Sequence, residues 1–164
     1  MNQPKVVTID AIRVMVLALA LVVAAVSVQT QADPLIGTWR LNVEKSQYSP
    51  GPPPRAQVSV WAPKGKGVKI TTTGIGADGK PTSQDTTAQY DGKDYPTIGN
   101  PDYDTAAFKR IDANTLQVIR KRDGTVVQTA TFVVSTDGKT RTITTKGTSV
   151  LGQTINNVSV YERQ

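Results

Sequence analysis

The chain of 164 residues contains no cysteine and no histidine. Without cysteine, disulfide cross-links, thiolate nucleophiles, Fe–S ligation and a lipid-modified N-terminal Cys are excluded. Without histidine, Ser-His-Asp and Cys-His catalysis, an imidazole general base and His-ligated zinc or haem go too. Glutamate is nearly as scarce: beyond residue 32 only Glu44 and Glu162 occur. The chemistry left is that of Asp, Lys and Tyr. The Ser-x-x-Lys pattern, the Gly-x-Ser-x-Gly elbow and the phosphate-binding loop are all missing. The sequence therefore points away from an enzyme and predicts neither metal nor cofactor.

What is present begins with an address. Lys5 and Arg13 flank a positive start, and Val14 to Val28 is an uncharged apolar stretch. It is too short for the roughly 20 residues of a membrane-spanning helix but suits the core of a secretory signal peptide. Thr30-Gln31-Ala32 places small side chains at minus three and minus one of a cleavage site, with Asp10 an atypical member of the n-region. Residues 1–32 are thus expected to direct export and be removed, with an uncleaved anchor as the rival outcome. The remaining domain, residues 33–164, loses Lys5, Arg13 and Asp10 and carries 17 basic against 12 acidic residues, a net charge of +5. It is expected in the periplasm or secreted, with no membrane span after cleavage, and is long enough to bury one core without staples.

That domain is rich in Thr and Val, and no window repeats apolar residues at helical spacing for three turns. Short runs of β-formers alternate with Gly-centred turns: Gly65-Lys66-Gly67, Asp78-Gly79, Asp91-Gly92, Asp123-Gly124, Asp137-Gly138 and Leu151-Gly152. Asp-Gly supplies the positive φ angles that tight hairpins need. Strands are predicted over 35–43, 56–62, 68–75, 82–90, 94–98, 105–111, 116–122, 125–135, 140–149 and 154–163. Short links make sequence neighbours antiparallel partners. The expected fold is all-β, an antiparallel up-and-down meander barrel of about 8–10 strands. After the first strand comes Ser49-Pro50-Gly51-Pro52-Pro53-Pro54, which cannot join a ladder and should cross the surface or one barrel end.

Hairpin counting gives a register. With Asp123-Gly124, Asp137-Gly138 and Leu151-Gly152 as two-residue loops, Phe132 faces Ile143, Ile143 faces Val160, and Arg141 faces Glu162. One face then carries Phe108, Ile119, Val126, Ala130, Phe132, Val134, Ile143, Val158 and Val160, the default interior on burial grounds. Arg120, Leu116, Val118, Ser159 and Tyr161 fall on the other, so Phe132 and Tyr161 point opposite ways. Arg141–Glu162 is then most simply a surface ion pair, awkward on an inner face, and the inner face stays open.

Gly37-Thr38-Trp39 in the first strand resembles the motif that opens the barrel of lipocalins and the wider calycin group. Leu35 to Asn42, with Glu44-Lys45-Ser46, looks like the start of small exported bacterial lipocalin-like proteins. Strand number and layout are similar to fatty-acid-binding proteins. The resemblance implies a barrel closed at one end by Trp39, with Arg163 across it; Ser159 and Tyr161 would then share Arg163's inward parity and line a polar, Thr-rich cavity. Two departures stand out. The Arg-x-Tyr motif that holds the carboxylate in fatty-acid-binding proteins here reads Ser159-Val160-Tyr161, and a Pro-rich loop replaces their helix pair.

The candidate ligand-binding residues are Trp39, Phe108, Arg120, Phe132 and Tyr161, although the register forbids all of them sharing a face. Trp61 is a weaker candidate, equally placed on the outside. Arg120 is the inward cation that could pair with an anionic ligand. Arg120-Lys121-Arg122 and Lys109-Arg110 alternate across strand faces and form no stripe for nucleic acid. Asp91, Asp94, Asp102 and Asp104 lack EF-hand spacing and are accounted for by turn capping. The expected function is non-catalytic binding of a small hydrophobic or amphipathic molecule by a monomer. The alternative is a cell-envelope protein-interaction module with a filled barrel. A third possibility, an enzyme, would need two inward carboxyl or Tyr groups converging on one point.

Overall fold

A chain of β-branched residues punctuated by Gly gains most by pleating, because branched side chains pack well on a sheet and lose χ1 freedom in a helix. The computed structural model describes residues 32–164, so the segment expected to direct export, residues 1–32, lies outside the described residues except for Ala32. Ten strands follow in order: β1 (Gly37–Gln47), β2 (Ala56–Lys64), β3 (Gly67–Ile75), β4 (Pro81–Ala88), β5 (Asp91–Ile98), β6 (Thr105–Arg110), β7 (Thr115–Arg122), β8 (Thr125–Val134), β9 (Thr140–Thr148) and β10 (Thr154–Arg163). Each pairs antiparallel with its sequence neighbours, and β1 also pairs with β10, closing a meander barrel. Among the described residues no helix is long and apolar enough to cross a membrane.

The expected turns hold the strands. Asp123 and Gly124 both have positive φ, 49° and 77°, joining Arg122 to Thr125 in a two-residue hairpin. The Pro-rich segment crosses one end of the barrel: the Ser49 N–H donates to Asn157 Oδ1 at 2.9 Å, and the Asn156 N–H donates to the Ser49 carbonyl at 2.8 Å. The β5–β6 and β9–β10 loops meet at that same end, where the Val150 N–H donates to Asp102 Oδ1 at 3.0 Å.

Three local irregularities overturn the counted register, the first in the β6–β7 link, where Phe108 faces Val118 and not Ile119. The β9–β10 link is a three-residue loop, Val150-Leu151-Gly152, with Gly152 at φ 76° and Ser149 N–H bonded to the Gln153 carbonyl. That one added residue shifts every pair: Ile143 faces Ser159, not Val160, and Arg141 faces Tyr161, not Glu162. In β8 the register slips between Lys121↔Val126 and Arg120↔Gln128, leaving Val127 as an extra residue. Phe132 therefore faces Leu116, while Phe132↔Ile143 holds as counted.

Because side chains alternate with period two, each slip turns a whole strand over. Leu116, Val118, Arg120, Ser159 and Tyr161 point inward with Phe108, Ala130, Phe132, Val134 and Ile143. Ile119, Val126, Val158 and Val160, expected inside, lie on the other face, with Val126 56% exposed. The expected surface pair Arg141–Glu162 does not exist. Arg141 is buried at 1% exposure, and Glu162 pairs outside with Lys45 at 2.8 Å.

The end opposite the Pro-rich segment is closed by Trp39. Its ring is fully buried, its Nε1 donates to the Leu35 carbonyl at 3.1 Å, and the Arg163 guanidinium lies 4.2 Å from its centroid. Arg163 donates to the carbonyls of Pro34, Ile36 and Gly138, each at 2.6 Å, tying three segments together. Asp33 adds an ion pair to Arg110 at 2.5 Å.

Candidate functional site

A closed sheet of ten strands leaves an interior wider than its side chains fill. Here a cavity of about 280 Å³ runs up the barrel from just above Trp39 to the Pro-rich segment. Its apolar lining includes Trp61, Ile70, Phe108, Val118, Phe132 and Ile143, with the Trp61 and Phe132 rings 5.6 Å apart. The rest is polar and threonine-rich, with Thr72, Thr86, Thr97 and Thr145 among the lining residues.

Of the five candidates, Phe108, Arg120, Phe132 and Tyr161 line this one cavity, on β6, β7, β8 and β10. Phe132 and Tyr161 share a face, contrary to the counted register. Trp39 is not in the lining; it lies beneath, as the plug. Trp61, the weaker candidate, is 3% exposed and lines the cavity, because the aliphatic Val58 and Val60 of β2 take the outer face, with Val60 41% exposed.

Most polar lining groups satisfy one another. Trp61 Nε1 donates to Ser59 Oγ at 3.0 Å, and Ser59 shares a hydrogen bond of 2.8 Å with Thr72. Ser159 donates to the Tyr48 hydroxyl at 2.8 Å, the Tyr161 hydroxyl donates to Gln57, and Tyr103 donates to Gln84 at 3.1 Å. Burial raises the phenols of Tyr48 and Tyr161 above the ordinary tyrosine range. Arg120 stands near the mouth, donating to Gln128 Oε1 at 3.0 Å, with its guanidinium 4.9 Å from the Tyr103 ring centroid.

Arg141 is the exception. Its guanidinium sits in an aromatic box, 4.7 Å from the Trp39 centroid, 4.8 Å from Trp61, 5.1 Å from Tyr161 and 5.8 Å from Phe132. Its Nε and Nη1 have no hydrogen-bond partner, and it makes no ion pair among the described residues. Burial pushes it down to about 9, which leaves it charged at neutral pH. Sequence reasoning missed it because a single register error set it beside Glu162 on the surface.

The basic runs disperse as strand alternation requires. Lys121 points out to Asp94 at 2.8 Å, while Arg122 bonds the carbonyls of Pro101 and Asp102. The acidic cluster disperses too: Asp91 accepts from Tyr95, Asp102 from the Val150 N–H and Asp104 from the Asp123 N–H. Among the described residues no three His, Cys, Asp or Glu side chains gather as a metal site would require.

No protein-family model matches this chain. No curated protein matches it. Among solved structures it is similar to the ileal bile acid-binding protein of zebrafish, solved with cholic acid, at 12% identity and a TM-score of 0.48, over 80% of this chain and 99% of that one. At that distance the likeness carries nothing about function, which rests on the geometry of the cavity.

Proposed function

We propose that this is an exported, lipocalin-like binding protein that holds a small, partly apolar molecule inside its barrel and does no chemistry on it. The observation that carries this is the cavity itself, about 280 Å³ and lined by aromatic and aliphatic side chains together with polar ones. Ligand sites typically span about 300–1,000 Å³, so the volume suits a small occupant. Burying roughly 200 Å² of apolar ligand surface would contribute about 5 kcal/mol before association costs. The polar side chains would set orientation. A filled barrel serving only as a protein-interaction module would lack this void.

The lining also suits binding better than catalysis. Its one carboxylate, Asp102, lies at the mouth and accepts from a backbone N–H, while the phenols of Tyr48 and Tyr161 are shifted away from the range of a useful base.

The test is native mass spectrometry of the protein purified from its own host, followed by titration with the neutral fluorophore N-phenylnaphthylamine. A retained small molecule, or saturable fluorescence enhancement that Ala106→Phe abolishes by filling the cavity, is the expected result. No retained mass and no enhancement would overturn the proposal.

A further inference from the structure

A guanidinium buried in an aromatic box with open donors is costly unless something completes it. Taking such a cation out of water costs several kcal/mol even after relaxation, and a buried donor without an acceptor adds to that. Every other buried side-chain nitrogen or oxygen among the described residues has a partner, apart from the Tyr90 hydroxyl. The aromatic faces hold the Arg141 plane through cation–π contact but accept none of its N–H groups in the plane where carboxylates bind. The groups that face it offer no carboxylate: Trp39 from β1, Trp61 from β2, Tyr90 from the β4–β5 link, Phe132 from β8, and Tyr161 with Arg163 from β10.

We infer that the ligand of this cavity is an amphipathic oxyanion, whose carboxylate, sulfonate or phosphonate group pairs with Arg141 at the closed end while its apolar body lies along Phe132, Ile143 and Phe108. The inference rests on the proposed binding function and adds the ligand's charge and orientation. Arg141 is the second residue of β9 at the plugged end, and Trp39 lies directly beneath its guanidinium. An anion there is shielded from solvent, where pairing with a guanidinium fork is strongest. Arg120 already spends a donor on Gln128 near the mouth, so it would contribute long-range attraction to an entering anion rather than the anchor.

The experiment uses bound N-phenylnaphthylamine as reporter and displaces it with naphthoate, naphthalenesulfonate and the uncharged naphthalenemethanol. The wild-type protein should be emptied by an anion at about tenfold lower concentration, or less, than by the alcohol, although the alcohol is the more readily desolvated. Arg141→Met should erase that preference, read as the ratio of anion to alcohol displacement within the same variant, and Arg141→Lys should retain part of it. Separate preferences for naphthoate and naphthalenesulfonate identify which oxyanion the fork takes. If the alcohol competes as well as either anion in the wild type, or if Arg141→Met keeps the anion preference, the inference is overturned and cavity binding stands. If the reporter does not bind, the molecule retained in native mass spectrometry decides: an anion supports the inference, an uncharged molecule overturns it, and no retained molecule overturns the proposed function. Should Arg141→Met not fold, the wild-type order and Arg141→Lys decide alone.

Discussion

Arg141 carries a charge into a site where the fold offers it rings and no acceptor, and this should be visible without any ligand. Replacing a buried ion by an apolar side chain of similar volume commonly stabilises by about 1–4 kcal/mol, so Arg141→Met should melt higher than the empty wild type. The sign with pH follows from linkage. In the unfolded chain the arginine keeps its proton far above neutrality, while burial lowers it to about 9 in the fold. Above that point the unfolded state binds more protons and wild-type stability rises relative to the variant. The melting difference should be full at pH 7 and shrink as pH passes 9. The facing phenols do not interfere, since Tyr90 is pushed up to about 12 and Tyr161 further. A difference that stays constant with pH would contradict this. Arg163 is the opposite case, with its three charge-assisted bonds to carbonyls completed. Arg163→Met should cost roughly 3 kcal/mol in urea unfolding, by orphaning those carbonyls and uncovering Trp39.

At the scale of elements, the barrel has one weak seam. β4 and β5 share only the pairs Asp85↔Ile98 and Thr86↔Thr97, whereas β9 and β10 share nine in an unbroken run. Pro96 has no N–H to give the ladder, and Ile98 beyond it is 72% exposed. Amide exchange should therefore be markedly faster along β5 than along β9, measured under native conditions. The β8 bulge makes the converse prediction. Deleting Val127 would make Lys121↔Val126 and Arg120↔Gln128 successive pairs of one regular ladder, with no side chain changing face. The deletion variant should therefore keep cooperative unfolding, whereas one residue inserted after Ala130, which turns part of β8 over, should lose it and expose the core to a hydrophobic dye.

At the scale of the whole molecule, closure and charge act together. The ring from β1 through β10 and back to β2 leaves no free strand edge among the described residues, which removes the usual route to strand pairing between copies. Sedimentation equilibrium of residues 33–164 should find a monomer. The two ends of the barrel divide the work. Trp39, Leu35 and Arg163 seal one, while Tyr48, Pro54 and the polar residues of the β5–β6 loop border the cavity at the other. In the proposed function, ligand enters past that second end and meets the unpaired cation at the first.

Much of this was legible from the chain alone. Scarce helix periodicity, Thr and Val runs and repeated Asp-Gly turns determine a ten-strand meander, because those preferences are local and need no partner. The Pro-rich crossing and the stacking of Arg163 on Trp39 were legible for similar reasons, one from a missing donor and the other from the Gly37-Thr38-Trp39 resemblance. The inner face was not. Sequence alternation says that Arg141 and Ile143 share a side, but not which of Val160 or Ser159 they meet; that depends on whether Leu151-Gly152 closes a loop of two residues or three. Val127 as an extra residue likewise leaves no mark on composition. A period of two amplifies each such single-residue choice into a whole strand face, so only tertiary closure could decide that the cavity has polar side chains in its lining and that Arg141 stands inside it unpaired.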